Sequence, residues 1–314
     1  MSGLALACRV ATAFKKSGEI DEEAQRRYLQ RFIDAKVEVY LASAGSGEGN
    51  ALTWNELRQL YRIGVEHCKG KVLVQSNAPE QHTARAALEQ TRLAIECGVE
   101  IVNIYGPAGW HGYKPTDDEY IAYHEQILKE IRHPVAVAPY PNIGYTPKAE
   151  LVAGICNKHT QIVAVNLAGL DEDYFINLKV GLKRDVALYV PIRGSLNTFA
   201  LGAAGLVGGE INLTPNTFRR YVDLYESRNL EEMGRVFSDL MRVNQFNKPW
   251  GHINARVVKM FMHAFKLPGW EGGLREPLRM PAEATMKKFA EGLLKLQVPE
   301  IEQLAQAAGL GATL

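Results

Sequence analysis

Short apolar runs rich in Val, Ile, Leu and Ala recur at residues 4–14, 38–44, 71–77, 100–106, 134–140, 161–168, 186–193 and 205–212. The apolar positions within each run are nearly continuous, the pattern of parallel strands covered by helices on one side and packed side chains on the other. Between the runs, residues 21–35, 53–67, 83–97, 117–131, 148–158 and 171–182 read as amphipathic helices, most with an Asp, Thr or Asn cap near the first turn. A seventh connection, 196–201, is shorter. Eight such units predict an α/β fold, a (β/α)8 TIM barrel. A doubly wound sheet is the alternative, but it normally carries a Gly-rich phosphate turn after its first strand, and Ala11-Thr12-Ala13-Phe14 is not one. After the eighth strand, residues 218–227, 230–246, 253–265, 282–294 and 301–308 read as helices, more than one closing unit needs. The expected division is a barrel over residues 1–216 and a C-terminal helical extension over 217–314.

Composition narrows the class of ligand. The 36 Lys+Arg against 35 Asp+Glu leave a formal charge of +1, so no whole-protein field draws in nucleic acid or an anionic membrane. A small molecule is the expected partner, and any anion must be attracted locally. With 46% hydrophobic and 23% charged residues, disorder, collagen-like repeats and a coiled coil are excluded. Cys8, Cys68, Cys97 and Cys156 form no Cys-x-x-Cys pair and have no His at metal-ligand spacing, so neither a disulfide framework nor a metal site is expected, and no cofactor is called for. The N-terminus has no basic region before its short apolar run, and no segment reaches the ~20 apolar residues of a membrane span, which predicts a cytoplasmic protein.

In a barrel of this kind the ligand lies at the C-terminal ends of the strands, so the residues leaving each strand are the ones to question. They include Thr12, Gly45-Ser46-Gly47-Glu48, Tyr105, Trp110-His111-Gly112-Tyr113, Tyr140, Asn166, Arg193 and Glu210. The Gly45-Ser46-Gly47 turn can offer backbone N–H groups and a hydroxyl to a carboxylate. Glu48 either orients that loop or simply starts the next helix near its positive end, and the structural role of starting the helix is the favoured reading. His111 has the near-neutral intrinsic pKa of an acid/base catalyst, although an exposed loop histidine is the bland alternative. Arg193 can pair with a carboxylate, cap a carbonyl or meet Glu210. Tyr105 and Tyr140 are either packing residues or hydrogen-bond donors to a ligand. Trp250-Gly251-His252 reads as structural or as a subunit contact.

Arranged this way, the chain resembles the dihydrodipicolinate synthase / N-acetylneuraminate lyase family over nearly its whole length. The resemblance rests on Thr12-Ala13-Phe14, on Gly45-Ser46-Gly47-Glu48, on Leu201-Gly202-Ala203-Ala204-Gly205 followed by Asn212 and Pro215, and on Gly272-Gly273-Leu274-Arg275-Glu276-Pro277-Leu278. It implies a (β/α)8 lyase with a C-terminal helical domain, commonly a homotetramer, that binds pyruvate or another 2-oxo acid as a Schiff base on a strand-six lysine. A tyrosine leaving strand five relays protons in the family. Here the alignment puts Asn166 at the lysine position and Ala138 at the tyrosine position, with Tyr140 two residues on and Ile143 near the family's substrate-binding arginine. An amide has no nucleophilic amine and forms no imine. Lys114, Lys179 and Lys183 lie in a loop or on a helix with no evident route to desolvation.

The resemblance therefore implies a divergent lyase, of aldolase or hydratase type, acting non-covalently on a small carboxylate or 2-oxo compound. In that reading Asn166, Tyr140, His111 and Arg193 are catalytic, and Thr12, Gly45, Ser46, Tyr105 and Glu210 bind substrate. Glu210 is an alternative to His111 for moving the proton, and a homotetramer or homodimer is expected. The rivals are a non-catalytic ligand-binding or scaffold protein, and a Schiff-base aldolase with a displaced lysine.

Overall fold

The apolar runs form eight parallel strands: β1 (Ala5–Arg9), β2 (Glu38–Leu41), β3 (Val74–Asn77), β4 (Ile101–Tyr105), β5 (Val135–Ala138), β6 (Ile162–Asn166), β7 (Ala187–Val190) and β8 (Gly205–Gly208). The computed structural model describes residues 3–77, 80–109, 111–251 and 254–310. Each strand pairs with the next in sequence, and β8 closes on β1 in the register Ala5↔Gly205 to Cys8↔Gly208. That seam needs a glycine, because a Cβ on Gly205 would sit 2.3 Å from the Ala5 carbonyl oxygen.

The connecting helices are α1 (Glu22–Asp34), α2 (Trp54–Cys68), α3 (Ala84–Glu96), α4 (Asp117–Leu128), α5 (Ala149–Lys158), α6 (Glu172–Gly181), α7 (Ser195–Ala200) and α8 (Pro215–Glu226). They start where the sequence supplies caps. Asp21, Thr83 and Asp171 accept backbone N–H bonds, and Thr53 with Glu56 and Thr116 with Glu119 form reciprocal capping boxes. Beyond α8 come α9 (Leu230–Asn247), α10 (Ala255–Ala264), α11 (Glu283–Leu294) and α12 (Pro299–Ala307). No helix among the described residues is long and apolar enough to cross a membrane.

The strands are shorter than the apolar runs. The first run continues past Arg9 as buried, non-strand backbone: the Val10 N–H still donates to the Tyr40 carbonyl of β2 at 3.0 Å, and several of the polar groups beyond it are met by side chains. Asn212 accepts from the Ala11 N–H at 3.1 Å, Gln25 accepts from the Ala13 N–H at 2.7 Å, and the Lys259 ammonium donates to the Thr12 carbonyl. Lys259 reaches there from α10. It is fully buried, lies 3.7 Å from a Glu48 carboxylate oxygen, and has its pKa pulled down to about 8 by burial, with Glu48 opposing the shift. The other Glu48 oxygen accepts from the Arg275 N–H at 2.9 Å, and both Lys259 and Arg275 stand 4.6 Å from the Phe14 ring centroid. The segments around residues 12–14, 45–48 and 272–278 thus meet in one contact that ties the later helices to the barrel mouth. Glu48 therefore anchors the loop rather than starting the next helix as expected, since its carboxylate is taken by Lys259 and Arg275 and α2 is started by Thr53.

Two cores result. A large one lies between the strands and their helices, and a second fills the barrel interior with Ala7, Tyr40, Ala136, Ala164, Tyr189 and Val207. The interior is not wholly apolar. Glu38 accepts from Gln75 at 2.7 Å and from the Tyr189 hydroxyl at 3.2 Å, and Gln75 accepts in turn from Asn103 at 3.2 Å. Burial pushes the Glu38 carboxyl up to about 7 despite those donors. A carboxyl whose pKa is raised on folding stabilises the fold fully below its unfolded value, and that contribution is lost as pH rises through the folded value. Between the unfolded value of 4.5 and about 7, Glu38 should therefore cost the native state about 3 kcal/mol. Denaturation of Glu38→Gln across about pH 5 to 8 should show a flatter stability profile and a gain over wild type at the alkaline end. Parallel profiles for the two proteins would contradict this.

Candidate active site

The C-terminal mouth of the barrel opens into a cavity of about 990 Å³. Its wall takes residues from the strand ends and loops, and also Asn244 on α9 and Asn254 at the start of α10. This volume lies at the upper end of the range for pockets that enclose drug-sized ligands, well beyond a three-carbon acid.

Among the charged residues of the wall is Arg9, at the last position of β1. Its guanidinium carbon lies 5.2 Å from the Tyr140 ring centroid and 6.0 Å from that of Tyr40. Nη2 donates to Asn166 Oδ1 at 3.4 Å, and Nε is buried with no acceptor. Burial opposes the charge, but Tyr105, Tyr40, Tyr140 and Glu210 outweigh it and hold the guanidinium pKa above its ordinary value. Asn212 Nδ2 donates to the Arg9 carbonyl at 2.7 Å and to the Gly209 carbonyl at 2.7 Å, which fixes the Arg9 backbone against the loop after β8.

Tyrosines surround this cation. The Tyr40 hydroxyl donates to Asn77 Oδ1 at 3.0 Å and lies 3.1 Å from the Tyr105 hydroxyl. Tyr105 meets Tyr140 edge to face at 5.9 Å, and the Tyr140 hydroxyl accepts from Asn142 at 2.7 Å. Burial raises the Tyr105 pKa to about 12 although Arg9 lowers it, so its hydroxyl is a proton donor at neutral pH.

Comparison with known proteins places this architecture. The model of the dihydrodipicolinate synthetase family matches residues 3–296. The chain belongs to the dihydrodipicolinate synthetase family. It is 23% identical over 291 residues to the 4-hydroxy-tetrahydrodipicolinate synthase of Chlorobaculum parvum, covering 90% of this chain and 95% of that one. The dihydrodipicolinate synthase structure from Aquifex aeolicus superposes with a TM-score of 0.84 at 19% identity, covering 95% of this chain and 99% of that one. YagE, a prophage protein of the same family from E. coli K12 solved in complex with pyruvate, superposes with a TM-score of 0.83 at 17% identity and covers 95% of this chain and 99% of its own.

In this member of the dihydrodipicolinate synthetase family, the sequence candidates divide into two groups. Gly45, Ser46, Tyr105, Tyr140, Arg193 and Glu210 line the cavity, with Arg193 exposed on its rim. Gly208 leaves room for the Glu210 carboxylate, which a Cβ there would approach to 2.5 Å. Thr12, His111 and Asn166 lie outside the wall. Thr12 is buried and donates to the Gly47 carbonyl at 2.6 Å, so it holds the Gly45–Gly47 turn from behind. His111 is exposed in a left-handed backbone conformation, and its neighbour Trp110 lies outside the described residues, as does His252. Asn166 is 4% exposed behind Arg9, its amide oxygen shared between Arg9 and the Ala168 N–H at 3.3 Å.

Sequence reasoning passed over Arg9, because the first apolar run seemed to carry the strand on to Thr12. A signal was present: Ala5, Ala7 and Arg9 alternate, two small residues and then a charge on the face that points into the barrel. Glu80, which follows β3, also lines the cavity, and no residue leaving strand three had been singled out. Among the described residues no lysine lines the cavity. Lys114, Lys179 and Lys183 are exposed, and no cluster of His, Cys, Asp or Glu able to hold a metal is found among the described residues.

A lysine at position 166 would set an ammonium against the Arg9 guanidinium, a like-charge contact costing about 2–4 kcal/mol at the effective dielectric of a partly buried site. Asn166→Lys should therefore lower the denaturation midpoint, and Arg9→Ala in the same chain should restore most of the loss. Equal midpoints for wild type and Asn166→Lys would show that the two positions do not interact.

Proposed function

We propose that this protein is a lyase-type enzyme that holds a small carboxylate or 2-oxo compound without forming a Schiff base. The observation that carries the reading is Arg9: a partly buried guanidinium in the cavity wall, oriented by Asn166, with an N–H that has no acceptor. Such a group binds a carboxylate or an enolate oxygen strongly, because its charge is already desolvated and its geometry already set. Arg9 takes the anchoring role that Arg193, on the exposed rim, had been expected to fill.

The resemblance aligns the family's lysine with Asn166, and the amide there supports Arg9 instead of attacking a carbonyl. Tyr105 and Tyr140, in the wall beside Arg9, donate to a polarised carbonyl oxygen, and Glu210 is the carboxylate placed to move a proton. His111 has no part in this reading, since it stands outside the wall. Dihydrodipicolinate synthesis is not the proposed reaction, because the strand-five tyrosine position is Ala138, buried against Tyr105 and Ile143.

Two measurements test the reading. Borohydride reduction in the presence of pyruvate should leave the intact mass unchanged, and a mass increase mapped to a lysine would overturn the non-covalent assignment. Pyruvate at about 10 mM should raise the melting temperature of the wild-type protein, and Arg9→Met should weaken its affinity about ten- to a hundredfold. Undiminished affinity in Arg9→Met would remove Arg9 from the site.

A further inference from the structure

Glu80 is a further charged group in the same cavity wall, and one of its carboxylate oxygens, Oε2, is buried with no hydrogen-bond partner. It forms no salt bridge with Arg9, although the two are close enough for Arg9 to favour its ionised form. Both act on the same pair of hydroxyls: at Tyr40 and at Tyr105, Arg9 favours ionisation and Glu80 opposes it. The cavity wall therefore carries a cation and a carboxyl, each with an unsatisfied polar atom, near the Tyr105 hydroxyl that pairs with Tyr40. A buried charge held beside an opposite charge without contact is costly unless something completes both.

We propose that Glu80 is the second pole of the ligand site, so that the natural ligand bridges Arg9 and Glu80 with a carboxylate at one end and a hydrogen-bond donor, a hydroxyl or an ammonium, at the other. The inference rests on the reading of Arg9 as the carboxylate anchor. It adds the substrate class: a hydroxy or amino acid, or a reaction partner that presents such a group, rather than a bare oxo acid. Burial raises the Glu80 pKa, with Asn50 and Arg9 opposing. A neutral Glu80 still accepts from a hydroxyl, whereas an ammonium draws it into its ionised form.

The test is titration calorimetry on the full chain with propionate, pyruvate, lactate and alanine, at about pH 6 and pH 8, for wild type, Glu80→Gln and Arg9→Met. Wild type should bind lactate or alanine at least about tenfold more tightly than propionate. Glu80→Gln should shrink that preference to within about twofold while leaving propionate affinity unchanged. A preference for alanine that strengthens from pH 6 to pH 8 identifies an ammonium as the donor. A pH-independent preference for lactate identifies a hydroxyl. If Glu80→Gln does not fold, Glu80→Asp, which withdraws the carboxyl by one methylene, should weaken the preference by a smaller factor. A preference left at its wild-type size in these variants, or a wild-type protein that does not discriminate or binds none of the four, overturns the proposal. Failure of the anchor alone reads differently: Arg9→Met would then leave propionate and pyruvate affinity intact while Glu80→Gln still abolished the preference.

Discussion

A guanidinium inside a barrel is a demanding constraint, and much of the mouth of this barrel is arranged to meet it. Arg9 gives up water for two tyrosine rings, one amide oxygen and the field of nearby carboxylates. Its backbone is pinned by Asn212, whose side chain also receives the Ala11 N–H and the Tyr28 hydroxyl, at 3.1 Å and 3.0 Å. The same asparagine therefore joins β1, α1 and the loop after β8, so the closure of the barrel and the placement of its central charge are one piece of structure.

The later helices contribute through a second buried cation. Lys259 crosses from α10 to cap the Thr12 carbonyl beside Glu48, and Thr12 in turn holds the Gly45–Gly47 turn. Loss of either partner would leave an uncompensated buried charge, an effect worth about 3–5 kcal/mol. This gives the helices beyond α8 a defined role at the barrel mouth: they fix the loops after β1 and β2 from behind while Asn244 and Asn254 form part of the cavity wall.

The proposed chemistry follows from where charge has been placed. In the proposed reading, Arg9 at the end of β1, next to Asn166 at the end of β6, offers a permanent cation, a group suited to electrostatic stabilisation of an oxyanion and unable to form an imine. Glu80, Glu210 and the tyrosine hydroxyls supply proton donors and acceptors around it.

The periodicity of the chain determined the barrel, because strands covered on both faces must be apolar throughout and the helices between them must be amphipathic and capped. Asp21, Thr53, Thr83, Thr116 and Asp171 are local signals acting over three residues, which is why they are legible in one dimension. The ordered segments 12–14, 45–48 and 272–278 determined the family in the same way. Six of the nine site candidates lie in the cavity wall, because the ends of strands predict which residues reach the mouth. Arg9, Glu80 and Asn244 entered the site only in three dimensions. Alternation from Ala5 and Ala7 sets the face of Arg9, but that it is the last strand residue, at the mouth, depends on side chains of α1, α10 and the loop after β8 that meet the backbone of residues 11–13. Asn166 was recognised by its position, but its role as the support of Arg9 rests on a contact spanning 157 residues that no local pattern encodes. Local preferences thus settled the elements and their order, while the balance of buried charge, a sum over distant residues, settled which charges the cavity presents.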